Sequence, residues 1–377
     1  MQNKRLVRFL VQVLIFLFLL ELSLRVIFFQ QTARDHFAII EIARNIKRKM
    51  HTPDLDRVYQ DFLLARPDST KEVNKLIAEE AFASNHFEYS PWTEYKNIDF
   101  SGKYFNIKGL ARATVPDVFF NLADTAAIQT IYFFGGSTMY GINIADRETI
   151  ASAFVDLYKI KFPHGVSIKV VNHGVSAYHS YNELMLLSSL VYSGQKPGVA
   201  IMLDGLNDFL MPYAVQYRLP YYYYRLKLAS KDKINFKELE SINDSTNTLF
   251  TYPPNFSEEQ LTDTLVKDYL SNIRYIKQLA NANNFSAFFF IQPNPFYNYP
   301  NSKNDPICDK HLAPLVTKAY TVLEKNADTI GNCVFLGNML SNEKGYPFID
   351  RFHYSPAMCR KIAAEIVATV GAKINKQ

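Results

Sequence analysis

The chain has 377 residues, 48% of them hydrophobic and 20% charged, with 24 Tyr and 29 Phe against a single Trp. That length exceeds a usual single domain and fits one sizeable α/β domain with added elements, and the apolar and aromatic share excludes extended disorder outside the ends. The formal charge of +5 excludes no membrane partner but gives no nucleic-acid signature, because the basic residues gather beside the hydrophobic N-terminus and at Lys47–Arg48–Lys49 instead of alternating with aromatics along a stripe.

In chain order, Phe9 to Leu20 (FLVQVLIFLFLL) is almost uniformly apolar, and the apolar character resumes after Glu21 and Arg25 as far as Phe29. About 20 residues rising about 1.5 Å each span a hydrocarbon core of about 30 Å. Lys4, Arg5 and Arg8 precede the run, so the positive-inside rule places the N-terminus in the cytoplasm and the remainder on the far, periplasmic side. No small-x-small cleavage site follows in ELSLRVIFF, so residues 1–30 are expected to be a cytoplasmic tip and an uncleaved transmembrane signal-anchor helix. Residues 31–127 are expected to form a helical stalk and lead-in, clearest in IIEIARNIKRKM and KEVNKLIAEEAF, without chemistry of their own.

From about residue 128 short β-branched and aromatic runs alternate with helical periodicity, the sign of parallel βαβ units. The expected strands are 130–134, 168–172, 199–203, 287–292 and 333–337, with helices near 148–162, 180–192, 262–283, 312–327 and from about Pro356 to Ile374. They predict a three-layer α/β/α sandwich with a five-stranded parallel sheet over 128–377. In such sheets chemistry collects at the carboxyl ends of the strands.

Four of the segments carry suitable residues. The first strand runs into Gly135–Gly136–Ser137–Thr138, which presents a hydroxyl at a strand end, although a serine there equally suits the N-cap of the next helix. The second runs into Asn172–His173–Gly174, where a backbone N–H can approach a ligand, and the third into Asp204–Gly205–Leu206–Asn207–Asp208, where an asparagine amide is a candidate oxyanion donor. Asp350 and His353 lie three residues apart before the last helix, a spacing that lets a carboxylate fix an imidazole tautomer while the other ring nitrogen takes a proton from Ser137.

These four segments, in this order, resemble the sequence blocks of the SGNH/GDSL hydrolase superfamily over about residues 128 to 374. The resemblance implies a flavodoxin-like sheet, a catalytic triad of Ser137, Asp350 and His353, and an oxyanion hole formed by Ser137, Gly174 and Asn207. The first block reads GGST where the family usually has GDSL, a form associated with membrane-anchored bacterial relatives, and Asn106 to Thr114 resembles the NxxGxRxT lead-in of the same proteins.

Residues 210–260 interrupt the alternation and are crowded with tyrosines, so Tyr213, Tyr217 and Tyr221 are candidate substrate-binding residues in an insertion beside the site. The alternative is a tyrosine-rich segment packed on its own domain. His173 and His179 lack a third ligand, so no metal is expected, and a serine activated by His353 needs no organic cofactor. Cys308, Cys333 and Cys359 admit at most one bridge, with Cys308–Cys333 favoured over the other pairings and small buried thiols as the rival reading.

The function expected is a serine esterase or O-acyltransferase working through an acyl-enzyme on an extracytoplasmic acylated glycan or envelope component. The rivals are a lipase or lysophospholipase, and a non-catalytic glycan-binding scaffold on the same fold.

Overall fold

In the computed structural model residues 65–67, 69–121, 128–214, 257–300 and 312–375 are described. Helix α1 (Lys71–Ser84) starts at Thr70, whose hydroxyl accepts the Val73 N–H at 3.3 Å. A separate antiparallel hairpin follows, β1 (Phe87–Ser90) with β2 (Glu94–Asn97). Four short strands come next, β3 (Phe100–Ser101), β4 (Asn106–Lys108), β5 (Ala111–Arg112) and β6 (Val118–Phe119).

The alternating part then runs β7 (Gln129–Gly135), the one-turn helix α2 (Ser137–Tyr140), α3 (Ile150–Lys161), β8 (Ile168–Asn172), α4 (Ser180–Tyr192) and β9 (Val199–Asp204). It continues with α5 (Leu206–Ala214), α6 (Glu258–Ala282), β10 (Ser286–Ile291), α7 (Leu312–Ile330), β11 (Cys333–Phe335) and α8 (Pro356–Ile374). The five parallel strands lie in the spatial order β11-β10-β9-β7-β8, so the chain starts near the middle, steps once to one side and then works outward on the other. That is the flavodoxin-like order with its switch point between β7 and β9.

Strands buried on both faces need apolar residues throughout, and β7 and β9 supply them. Alternate residues face opposite layers. Tyr132, Phe134, Ala200, Met202 and Phe289 pack against Leu187, Phe209, Tyr269, Ile273 and Tyr320 of α4 to α7. On the other side Phe133 meets Phe154 of α3 edge-on at 5.1 Å, and α8 packs along α3 with Ile362, Ile366 and Val370 buried. Helix ends follow their local sequence. Ser257 and Gln260 form a reciprocal capping box (3.2 and 2.9 Å), which starts α6 at Glu258, four residues before the start read from periodicity alone.

The three-layer sandwich and its parallel strands agree with the sequence expectation, and the sheet is larger than expected. Strands β3 to β6 add an antiparallel flank on the β8 side, β5 pairing Arg112 with Asn172 and β6 pairing Val118 and Phe119 with Lys169 and Ile168. Within the stretch expected as helical stalk and lead-in, α1 is helical and residues 87–119 are strand and turn among the described residues. Strands of two to four residues are too short to show a period-two pattern against a polar background. No helix among the described residues is long and apolar enough to cross a membrane, and the expected span Phe9–Phe29 lies outside them. Cys333 and Cys359 carry free thiols; Cys308 lies outside the described residues.

Between the sheet and α4 sits a group of buried acids. Tyr269 donates to Asp204 Oδ1, whereas Asp204 Oδ2 and both Glu183 oxygens accept no hydrogen bond from an N–H or O–H donor. Buried carboxyl oxygens without donors favour the protonated, uncharged form. Burial, reinforced by the neighbouring acids, raises both, Glu183 well above its ordinary range and Asp204 to about 8. A carboxyl raised on folding favours the folded state at low pH, and that contribution is lost as pH climbs through the raised value. The melting temperature should therefore fall between about pH 5 and pH 8.5, and Asp204→Asn, which removes one of the two raised carboxyls, should flatten the fall. Parallel melting curves for the two proteins across that range would show that the raised Asp204 carboxyl does not set the pH dependence.

Candidate active site

The candidate residues converge on the carboxyl edge of the sheet. Ser137 is the first residue of α2, directly after β7, and is partly exposed while its neighbours Gly136 and Thr138 are buried. The approach of the next strand's loop explains the glycine before it. A Cβ on Gly136 would lie 2.3 Å from Asn207 Nδ2 and 2.9 Å from the Tyr178 carbonyl. Asn207 is thus seated against the turn that presents Ser137, with one amide hydrogen given to the Tyr178 carbonyl at 2.7 Å. Its other amide hydrogen is not committed to that bond.

Gly174 is demanded by crowding as well, since a Cβ there would meet Tyr140 N at 2.3 Å. Its N–H, expected as an oxyanion donor, donates to Asn172 Oδ1 at 2.9 Å, and Asn172 Nδ2 donates to the Met139 carbonyl at 3.0 Å. Asn172 therefore ties the end of β8 to α2. The Ser137 N–H belongs to a first helical turn, where backbone N–H groups have no intrahelical acceptor.

Asp350 and His353 occupy a tight loop before α8, closed by the Ile349 N–H on the His353 carbonyl (2.8 Å) and the Ser355 N–H on the Pro347 carbonyl (2.9 Å). Asp350 Oδ1 accepts the backbone N–H groups of Phe352 (3.0 Å) and His353 (2.9 Å), and Oδ2 accepts His353 Nδ1 at 2.7 Å. Burial works to raise the Asp350 carboxyl, but the facing His353 and these hydrogen bonds outweigh it and hold the group below its ordinary value. With Nδ1 donating to a carboxylate, Nε2 carries the lone pair a base needs.

Two side-chain paths join this loop to the Ser137 turn. In the first, Thr138 Oγ1 donates to Gln292 Oε1 at 3.2 Å, and Tyr354 donates to the carbonyl of the adjacent Pro293, so the neighbours of Ser137 and His353 are tied to one dipeptide at the end of β10. In the second, Asn143 Nδ2 donates to Asp350 Oδ2 at 2.9 Å. No hydrogen bond joins Ser137 Oγ to His353 in this structure.

The lead-in segment has a structural task. Arg112 of β5 has a fully buried side chain; Nε donates to Asp146 Oδ1 at 3.0 Å, Nη1 to the Tyr140 (2.6 Å) and Gly141 carbonyls, and Nη2 to the Ile144 carbonyl at 2.5 Å. Its guanidinium also lies 4.0 Å from the centre of the Phe105 ring. Asn106 donates to the other Asp146 oxygen at 2.9 Å. The loop leaving α2 is thereby clamped from behind. The clamping role of Arg112 and the reach of Asn143 to Asp350 escaped the sequence reading, because their partners lie tens of residues or more away and no short motif announces them.

Other candidates fall into place. His173 is buried, with burial lowering it to about 4, and its Nδ1 is bonded to the Leu110 carbonyl at 2.8 Å, which suits a neutral core histidine. Among the described residues no group of His, Cys, Asp or Glu is arranged to hold a metal ion. Asp208 accepts the Ser180 N–H (3.1 Å) and hydroxyl, a role in loop packing. Tyr213 lies on α5 but its side chain, like Tyr217 and Tyr221, falls outside the described residues.

No family model and no curated protein sequence matches the chain. Among solved structures it is similar to an acetylxylan esterase from Geobacillus stearothermophilus, at 16% identity over 64% of this chain and 94% of that one, with a TM-score of 0.38. It is similar also to a structure described as a lipolytic protein of the G-D-S-L family from Desulfitobacterium hafniense (12% identity, 64% and 99% covered, TM-score 0.37). A third is an α/β hydrolase from the metagenome of Lake Arreo, Spain (14% identity, 65% and 96% covered, TM-score 0.37).

Removing the clamp should be costly. Arg112→Met leaves Asp146 buried without its counter-charge and three carbonyls without their donor, and should destabilise the protein by about 3–5 kcal/mol in urea unfolding. A loss below about 1 kcal/mol would show that the carbonyls find other donors.

Proposed function

We propose that the chain is a serine hydrolase of the SGNH type, an esterase or O-acyltransferase in which Ser137 is the nucleophile, His353 the general base and Asp350 its orienting acid. The observation that carries this reading is the Asp350–His353 pair, bonded at 2.7 Å and tied through Gln292–Pro293 to the turn that presents Ser137. Ser137 Oγ attacks the ester carbonyl as its proton passes to His353 Nε2. The tetrahedral oxyanion takes hydrogen bonds from the Ser137 N–H and from the Asn207 amide. His353 then returns the proton to the leaving alkoxide, and water or a sugar hydroxyl attacks the acyl-enzyme by the same route in reverse. The Ser137–His353 hydrogen bond has to close for the first step, and such bonds commonly tighten only with substrate in place.

The site is read as extracytoplasmic and the substrate as an acylated glycan or envelope component. Support for this comes from the charge-flanked apolar run Phe9–Phe29 and from the tyrosine-rich stretch holding Tyr213, Tyr217 and Tyr221, both features of the sequence. A panel of acetylated sugars against short-chain and long-chain esters tests it; preference for long acyl chains would favour a lipase, and inertness toward every ester and every fluorophosphonate probe a binding scaffold.

Ser137→Ala should abolish turnover and fluorophosphonate labelling, with robust labelling of the folded variant sinking the mechanism. Asp350→Asn should cost up to about 10⁴ in turnover by upsetting the imidazole tautomer, and Asn207→Ala about 10²–10³ by deleting one oxyanion donor. The Ser137 and His353 losses should not add in the double variant, since the two act as one unit. Because the Asp350 carboxyl is held below its ordinary value, it stays ionised as pH falls, so loss of activity in acid should track protonation of the imidazole.

A further inference from the structure

We propose that Asn143 is a positioning residue of the catalytic pair, its side-chain amide setting where the Asp350–His353 loop stands relative to Ser137; this inference rests on the serine-hydrolase reading above. Asp350 receives four hydrogen bonds. Three come from its own loop, from the Phe352 and His353 backbone N–H groups and from His353 Nδ1. The fourth, from Asn143 Nδ2 at 2.9 Å, crosses 207 positions of sequence and lands on Oδ2, the oxygen that holds the imidazole. The local three fix the orientation of the carboxylate within its loop. The Asn143 bond alone among them refers the loop to the turn that carries the nucleophile, six residues earlier in the chain.

The donor is itself held. Asn143 has a left-handed backbone (φ 63°), and its carbonyl accepts Arg66 Nη2 at 2.8 Å. The buried Arg66 is fixed in turn by Glu148 Oε2 at 2.6 Å and Asn74 Oδ1 at 3.3 Å. On either side of Asn143 the carbonyls of Gly141 and Ile144 are gripped by Arg112. Two buried guanidinium groups thus aim one partly buried amide at one carboxylate oxygen. A bond that only stabilised a surface loop would need no such backing.

During attack the positive charge that forms on the imidazole lies between Ser137 and Asp350. A carboxylate displaced by even about 1 Å would carry the imidazole away from the hydroxyl, and displacements of that size cost about 10²-fold in rate. The amide also favours the ionised carboxylate, which is the form that can hold the Nδ1–H tautomer.

Glycine adopts the left-handed region without strain, so Asn143→Gly removes the amide and leaves the turn and the Arg66 bond in place. Its rate of labelling by a fluorophosphonate, counted per labelled site at completion, should fall about 10–10²-fold with a melting temperature within a few degrees of the parent. Asn143→Asp sets a second carboxylate against Asp350, so one of the two takes up a proton more readily and the acid limb of the labelling–pH profile should move to higher pH. Labelling of Asn143→Gly at the parent rate, or a loss explained entirely by a smaller folded fraction, overturns the proposal, as does an Asn143→Asp profile that superposes on the parent's. Failure of the parent protein to be labelled, or persistent labelling of Ser137→Ala, would instead overturn the hydrolase reading on which the proposal stands.

Discussion

Arg112 is a charged side chain with no exposure, and the geometry of the sheet edge that carries Ser137 follows from how its charge is met. One carboxylate, Asp146, faces Nε, and the Tyr140, Gly141 and Ile144 carbonyls take the terminal N–H groups. A guanidinium withdrawn from water is tolerated only when its donors are matched in this way. Matching them forces the three carbonyls to turn toward the arginine, so the chain leaving α2 has one conformation available. Gly141 and Asn143 accordingly sit in the left-handed region, at φ 80° and 63°. The turn before this loop carries Ser137, and the loop itself carries the amide that reaches Asp350.

The rest of the site is assembled by contacts of the same kind, in which a polar side chain from one strand end grips the backbone or side chain of another. Asn172 holds the Met139 carbonyl, Asn207 holds the Tyr178 carbonyl, and Gln292 holds Thr138. Such bonds are worth little singly, about 1 kcal/mol each, but they are directional and mutually consistent. Parallel strands bring their ends to a common edge without specifying the last few ångströms. The asparagine and glutamine bridges supply that registration, and the two crowding glycines, Gly136 and Gly174, allow the loops to come close enough for them to form.

Much of this was legible in the sequence where the signal is local. The five parallel strands are dense apolar runs, the long helices carry a clear period, and the Asp350–His353 spacing fits a single turn, so each could be read from a short window. Strands β3 to β6 could not, because a pair such as Ala111–Arg112 is defined by what it lies beside and not by its own pattern. The same limit hid Asn143, whose partner lies 207 residues away, and the buried Glu183–Asp204 pair, which as a sequence is just two acids on different elements. Gly174 illustrates a subtler case. Its need for a missing side chain was readable, but the acceptor of its N–H, Asn172 Oδ1, depends on a rotamer that no spacing encodes. The apolar run Phe9–Phe29 and the insertion tyrosines Tyr217 and Tyr221 to Tyr224 lie outside the described residues.

The antiparallel flank has a bearing on where this domain can be cut. Strand β8 would be the outermost strand of the parallel sheet, and β5 and β6 cover its free side with Arg112 opposite Asn172 and Val118 opposite Lys169. At the far end the sheet finishes in β11, which is three residues long. Among the described residues neither border therefore offers a long row of unpaired backbone groups to another chain. A fragment begun at residue 128, where the alternating pattern starts, would strip that cover from Ile168–Asn172 and lose Arg112 with it. Such a fragment would retain every residue of the proposed triad and yet have an open, sticky sheet border and an unclamped loop after Ser137, so the smallest self-sufficient unit reaches back at least to the strands beginning at Phe100.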